Sequence, residues 1–185
     1  FKPIIINKEV QILPHWESDT SDYLTIRINP ALAFGTGHHE TTYMMIEAML
    51  NYDFNDKSVF DIGTGSGILS ILAKKKGAKN IRAIDYDELT YNNFYENLEL
   101  NNVGNIKFDI KDCFDVSNFS YDFIFANINL NVLLKLIPKI NREGTILILS
   151  GILCSDKDMV LDILDKQKIK KIYKRNEWLC YVVEL

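Results

Sequence analysis

The chain has few cysteines, no long apolar run and no excess of basic residues, and each shortage closes off a class of protein. Its three cysteines, Cys113, Cys154 and Cys180, are scattered and form no Cys-x-x-Cys pair. Such a set argues against a disulfide framework and suits reduced thiols in a cytoplasmic protein. No apolar run approaches the roughly 18–20 residues of a membrane span, and no secretory signal opens the chain. Lys and Arg number 21 against 25 Asp and Glu, a formal net charge of -4. That balance opposes a surface built throughout for nucleic acid, so no direct nucleic-acid partner and no membrane partner is expected. There is also no internal repeat and no low-complexity tract. The chain does not begin with Met, and further sequence upstream is expected.

What is present is the material of one ordinary domain: 185 residues, 47% apolar and 25% charged, enough for a sizeable core. Residues 4–6 and 10–13 flank a polar Asn7-Lys8-Glu9 turn and read as a hairpin. Residues 24–28 alternate as a further strand, stopped by Asn29-Pro30. A helix is predicted over 39–51, with Met44, Met45, Ala48 and Met49 on one face. Strands and helices then alternate. Strands are predicted at 58–62, 80–84, 105–110, 123–126 and 145–149. Helices are predicted at 68–76, 88–101, 130–140 (bent near Pro138) and 156–166. Two last strands, 169–173 and 179–184, are joined by a short charged turn. This alternation implies an α/β doubly wound sheet of about seven strands, mostly parallel and covered on both faces, with an antiparallel hairpin at its C-terminal edge. Residues 1–30 form a small β segment and linker, and 31–185 the main unit.

The run Val59-Phe60-Asp61-Ile62-Gly63-Thr64-Gly65-Ser66-Gly67 stands where the first of these strands turns into a helix. Glycines at 63, 65 and 67 permit a sharp turn and the close approach of a ligand to the main chain. A dinucleotide fingerprint would place its third glycine at position 68, which is Ile68. The spacing here is G-x-G-x-G, with Asp61 two residues ahead of it. An acid there can face a cationic ligand directly or through water. This pattern resembles motif I of class I methyltransferases, whose cofactor, S-adenosylmethionine, carries an ammonium and a sulfonium and no pyrophosphate. Asp85 ends the second strand of the main sheet, where a carboxylate can accept both hydroxyls of a ribose. Asp87 is better placed as a helix cap. Asp112 reads equally as an adenine-side residue and as a solvated loop acid. In this fold the fourth strand ends facing the transferred methyl, and Asn127 stands there. Its neutral amide can orient an incoming amine, while Asn129 is the better cap for the next helix. The Lys74-Lys75-Lys76 run reads as a solvated helix end.

The segment Asn29-Pro30-Ala31-Leu32-Ala33-Phe34-Gly35-Thr36-Gly37-His38-His39-Glu40-Thr41-Thr42 precedes the glycine loop by one helix and reads as a lid. His38 and His39 have no third ligand spaced for zinc, and no metal is expected. With Asp-Ile-Gly-Thr-Gly-Ser-Gly-Ile-Leu, Ala126-Asn127-Ile128, Leu149-Ser150-Gly151-Ile152-Leu153 and Glu177-Trp178, this segment resembles the ribosomal protein L-eleven methyltransferase (PrmA) family over nearly the whole chain. The resemblance implies a cytoplasmic, monomeric protein N-methyltransferase. It would use S-adenosylmethionine to modify lysine side chains, and the α-amine, of a large-subunit ribosomal protein. It also assigns Thr42, Gly63, Asp85 and Asn127 to the cofactor and Phe34 to the lid. It further implies an N-terminal recognition domain that lies outside this chain. The chain departs from the family at His38-His39-Glu40, usually Thr-His-Pro, at Thr64, usually Cys, and at Asn129, usually Leu.

Three other readings compete. One is a same-fold methyltransferase for another protein lysine, RNA or a small molecule. One is a non-catalytic S-adenosylmethionine-binding module, opposed by the intact Asp61, Gly63, Asp85 and Asn127. The last is a nicotinamide-dependent oxidoreductase, opposed by Ile68.

Overall fold

Aliphatic residues separated by turn formers set the first strands. The computed structural model describes residues 2–19, 21–30 and 40–185. In it β1 (Ile4–Ile6) pairs antiparallel with β2 (Val10–Pro14). Asn7 and Lys8 both take positive φ, 52° and 57°, and Glu9 N–H bonds back to Ile6 O at 3.0 Å. Two left-handed central residues closed by that bond make the primed turn that matches strand twist. The hairpin is therefore as expected. β3 (Leu24–Ile28) adds to β2 in parallel. Residues 31–39 of the lid segment, with Phe34, His38 and His39, are outside the described residues.

Helix α1 (Glu40–Met49) buries Met44, Met45, Ala48 and Met49, the face its sequence indicates. There follow β4 (Ser58–Ile62), α2 (Ile68–Lys75), β5 (Asn80–Asp85), α3 (Thr90–Leu100), β6 (Ile106–Ile110), β7 (Phe123–Asn127), α4 (Leu130–Leu136), β8 (Ile146–Leu153), α5 (Lys157–Leu161), β9 (Ile169–Arg175) and β10 (Trp178–Glu184). The seven-stranded sheet runs β6-β5-β4-β7-β8-β10-β9. β4 to β8 are mutually parallel, and β10 is antiparallel to both β8 and β9. The expected α/β fold with its antiparallel edge is thus present. Order reverses beside β4, whose neighbours are β5 and β7, so a crevice opens at their C-terminal ends.

Alternation along the strands builds two cores. Val59, Ile81, Phe123, Phe125 and Cys180 face one cluster; Phe60, Ile84, Ile124, Leu149 and Tyr181 face the other. The first cluster also holds Ile6, Ile12, Ile26 and Ile28 of the small sheet. Each such fully buried side chain contributes about 1.5–3 kcal/mol, so the small sheet is joined to the main body by a shared core.

Three elements end about four or more residues from where the sequence places them, and the other bounds agree within one or two. α4 ends at Leu136 and passes into a tight 3-10 turn, Ile137–Lys139, around Pro138. β8 runs on to Leu153 because Trp178 of β10 pairs with it there. α5 stops at Leu161, well short of 166. Only Val160 and Leu164 are buried along this stretch, and the Asp165 carboxylate accepts Gln167 N–H at 2.9 Å. With little apolar face to hold a helix, that local bond redirects the chain.

Candidate functional site

The crevice beside β4 is a cleft of about 1160 Å³. Gly63, Gly65, Asp85 and Asn127, each singled out in the sequence, line it together. So do Thr41, Asp112, Cys113, Ile128, Gly151, Asp156 and Trp178.

Asp85 sits at the tip of β5 and is almost fully buried. One carboxylate oxygen accepts Gly65 N–H at 2.9 Å, and the other accepts Asp87 N–H at 3.1 Å. Each oxygen keeps a further lone pair for a ligand hydroxyl. Asp87 in turn accepts Leu89 N–H at 2.9 Å, the cap-like role expected of it at the start of α3. Asp112 accepts Phe114 N–H at 2.9 Å while also lining the cleft.

Asp61 lies elsewhere. It is buried and is not among the cleft-lining residues. The hydroxyls of Thr64 and Ser70 both donate to its Oδ2, each at 2.7 Å. The carboxylate therefore ties the glycine loop to the first turn of α2. Burial pushes its pKa up from 3.8 to about 6; the two hydroxyl bonds oppose the rise, and the nearby charge of Asp85 adds to it. Gly67 stands at the N-terminal cap of α2 against the Phe94 ring, also away from the cleft lining.

Thr42 is buried in α1, and its Oγ1 accepts from Asn127 Nδ2 at 3.3 Å. Its neighbour Thr41 reaches the cleft wall. Asn129 accepts Asn131 N–H at 2.9 Å and caps α4, as its position indicated. Burial chiefly, with the Asp112 charge, pushes the Cys113 thiol up. That keeps it protonated and a poor nucleophile.

An asparagine ladder on α3 escaped the sequence reading. Asn93, Asn97 and Asn101 are spaced four apart, so they share one helix face, and all three are buried. Asn101 accepts Arg27 N–H at 2.8 Å and donates to Arg27 O at 2.6 Å. Asn97 accepts Asn29 N–H at 2.8 Å and donates to Ser66 O at 2.8 Å. Asn93 donates to Asn29 O at 3.1 Å. The ladder satisfies the exposed backbone edge of β3 and holds the glycine loop at the same time. Its i, i+4, i+8 spacing was the available signal.

The charges of the cleft wall decide between ligands. Asp85, Asp87, Asp112 and Asp156 face a single cation, Lys111, among the described lining residues. A pyrophosphate would meet repulsion there, whereas a cationic, ribose-bearing ligand would meet attraction. Among the described residues no group of three or more His, Cys, Asp or Glu side chains is arranged to hold a metal ion.

Over residues 1–185 the chain matches the family described as Ribosomal protein L11 methyltransferase (PrmA). The chain belongs to that family. A family member from Clostridium perfringens, named Ribosomal protein L11 methyltransferase, is 37% identical over 193 residues, covering 100% of this chain and 61% of its own length. One of the same name from Dictyoglomus turgidum is 37% identical over 190 residues, covering 99% of this chain and 63% of its own. The chain thus spans under two thirds of these relatives. The crystal structure of ribosomal protein L11 methylase from Lactobacillus delbrueckii subsp. bulgaricus superposes with a TM-score of 0.90 at 29% identity, covering 100% of this chain and 98% of that one. An RNA methyltransferase from Salinibacter ruber, solved with S-adenosyl-L-homocysteine, shares the fold at a TM-score of 0.60 and 15% identity, over 76% of this chain and 89% of its own.

Proposed function

We propose that this chain is the S-adenosylmethionine-binding catalytic unit of a protein N-methyltransferase that modifies lysine side chains, and the α-amine, of ribosomal protein L11. The observation that carries the reading is the acid-lined cleft over a G-x-G-x-G loop in a chain of this family. The bound cofactor would supply a methyl group already activated on a sulfonium. What remains for the protein is alignment and desolvation.

Asp85 would hold the ribose hydroxyls, and Gly63 and Gly65 would let the cofactor lie close to the main chain. Asp61 would act from behind the loop, adding negative potential where the cationic end lies. Gly67 would set the start of α2. Asn127, steadied by Thr42, would orient the acceptor amine by hydrogen bonding and serve as the catalytic contact. Phe34 would belong to the covering segment. The acceptor must lose its proton before transfer, and burial in the cleft would lower its pKa. Residues 31–185 would form the catalytic unit, with the strands of 1–30 packed on it, acting as a cytoplasmic monomer without a membrane or nucleic-acid partner. No helix of the described residues is long and apolar enough to cross a membrane.

Calorimetric titration tests the cofactor. S-adenosylmethionine should bind and NAD should not, and the reverse would overturn the reading. Mass spectrometry of L11 from cells lacking the protein tests the substrate. L11 should lose methyl groups, and unchanged methylation would refute the assignment.

A further inference from the structure

The turn between β9 and β10 reaches α1. Asn176 at its tip has a left-handed backbone, φ 51°, and its Nδ2 donates to Glu40 Oε1 at 2.8 Å. The guanidinium of Arg175 lies 3.8 Å over the ring of Tyr43, a cation–π contact. Both partners belong to the first turns of α1. From the other side, Cys154 N–H donates to Glu177 O at 2.7 Å, fastening the same turn to the end of β8. Leu153 and Trp178, paired across β8 and β10, line the cleft, as do Thr41 and Asn127. The turn therefore joins two walls of the cleft, α1 and the end of β8. Between its two contacts on α1 stands Thr42, which accepts from the Asn127 amide at 3.3 Å.

We infer that Arg175 and Asn176 are positioning residues: they fix the first turn of α1 so that Thr42 holds the Asn127 amide in the orientation the acceptor needs. Neither residue touches the reacting atoms. Their contacts with α1 lie at the surface, so losing them should disturb the fold little. A small displacement of α1 would still be felt at Asn127, because alignment is steep in distance.

The structural arm of the test needs neither cofactor nor substrate. The side-chain amide signal of Asn127, identified by its loss in Asn127→Ala, is followed by 15N–1H NMR in the otherwise unliganded chain. Arg175→Ala with Asn176→Ala should move that signal, and so should Glu40→Ala. Glu40→Gln retains the acceptor oxygen and should leave the signal in place. An unmoved signal in the double variant overturns the inference. A second arm rests on the proposed function: kcat for the protein substrate should fall about tenfold in the double variant, with cofactor affinity and Tm held. A parallel loss of affinity and Tm would show a merely structural role and also overturn it. If the parent chain fails to bind S-adenosylmethionine, the functional reading falls, while the NMR arm still decides the strap.

Discussion

Gly151 approaches Ile128 so closely that a Cβ built on it would stand 2.1 Å from the Ile128 carbonyl oxygen. On the opposite side, a Cβ on Gly63 would stand 2.3 Å from Ile128 Cγ2. Ile128 is thus gripped between the glycine loop and the end of β8, directly beside Asn127. The obstacle at Gly151 is backbone, which cannot swing aside as a side chain does. Gly151 also has φ 89°, a region costly for other residues. Gly151→Ala should therefore destabilise the chain by about 3 kcal/mol, from overpacking plus left-handed strain. Gly144 supplies the control. It has φ 80°, but a Cβ there would meet nothing within 4 Å, so Gly144→Ala should cost only about 1 kcal/mol. Urea unfolding of both variants measures the difference, and equal costs would refute the close-approach argument.

The Asn97 side chain joins two backbone groups that lie far apart in sequence, Ser66 O and Asn29 N–H. Both bonds are lost in Asn97→Ala, and buried polar groups are left without partners. The loss should be about 2–4 kcal/mol. Leu98 next to it is also buried, its side chain in the apolar core, so Leu98→Met should cost under about 1.5 kcal/mol. Denaturant midpoints check this. A mild Asn97→Ala would mean that water replaces the ladder.

How far the sequence reached follows from where each constraint is written. The glycine loop and Asp85 were legible because the backbone turn and the strand end demand particular residues at fixed local spacing. The sheet covered on both faces was legible from the alternation of strands and helices. The ladder on α3 was not, since Asn97 finds its partners 31 and 68 positions away. A buried asparagine and a solvated one look alike until the strand beside it is known. The hydroxyl bonds to Asp61 were not legible either, because nothing marks Ser70 within α2 as its hydrogen-bond donor. The bounds of α5 went astray because Asp162 and Asp165 sit at helical spacing, yet too few apolar residues face the core.

Asp85 offers the most direct test of the proposed cofactor. Its oxygens hold Gly65 and Asp87 by their N–H groups, leaving lone pairs for two hydroxyls. Hydrogen bonds to a charged group contribute about 1.5–3 kcal/mol each. Losing two should weaken S-adenosylmethionine binding by at least about a hundredfold in Asp85→Ala. An analogue lacking one ribose hydroxyl should lose less in the variant than in the parent. Calorimetry on all four pairings separates a ribose contact from simple loosening of the loop. An equal loss for both ligands would point to the loop.

Asp61 links the loop to pH. Its pKa rises in the folded chain from 3.8 to about 6, chiefly through burial. Between those values the folded state holds a proton that the unfolded state has released. Stability from this group is therefore full below about pH 4 and falls as pH rises through about 6, by roughly 3 kcal/mol in all. Asp61→Asn is neutral throughout and should not show that fall. From about pH 4.5 to about pH 7.5 the stability of the parent should drop relative to the variant by about 2 kcal/mol. Urea unfolding at the two pH values reads this directly, and a difference that does not change with pH would refute it. At neutral pH the parent thus keeps a buried negative charge at a cost in stability. If that charge serves a cationic ligand, Asp61→Asn should be the more stable protein at about pH 7.5 and the weaker binder of S-adenosylmethionine. A variant both more stable and equally tight in binding would reduce Asp61 to a loop fastener.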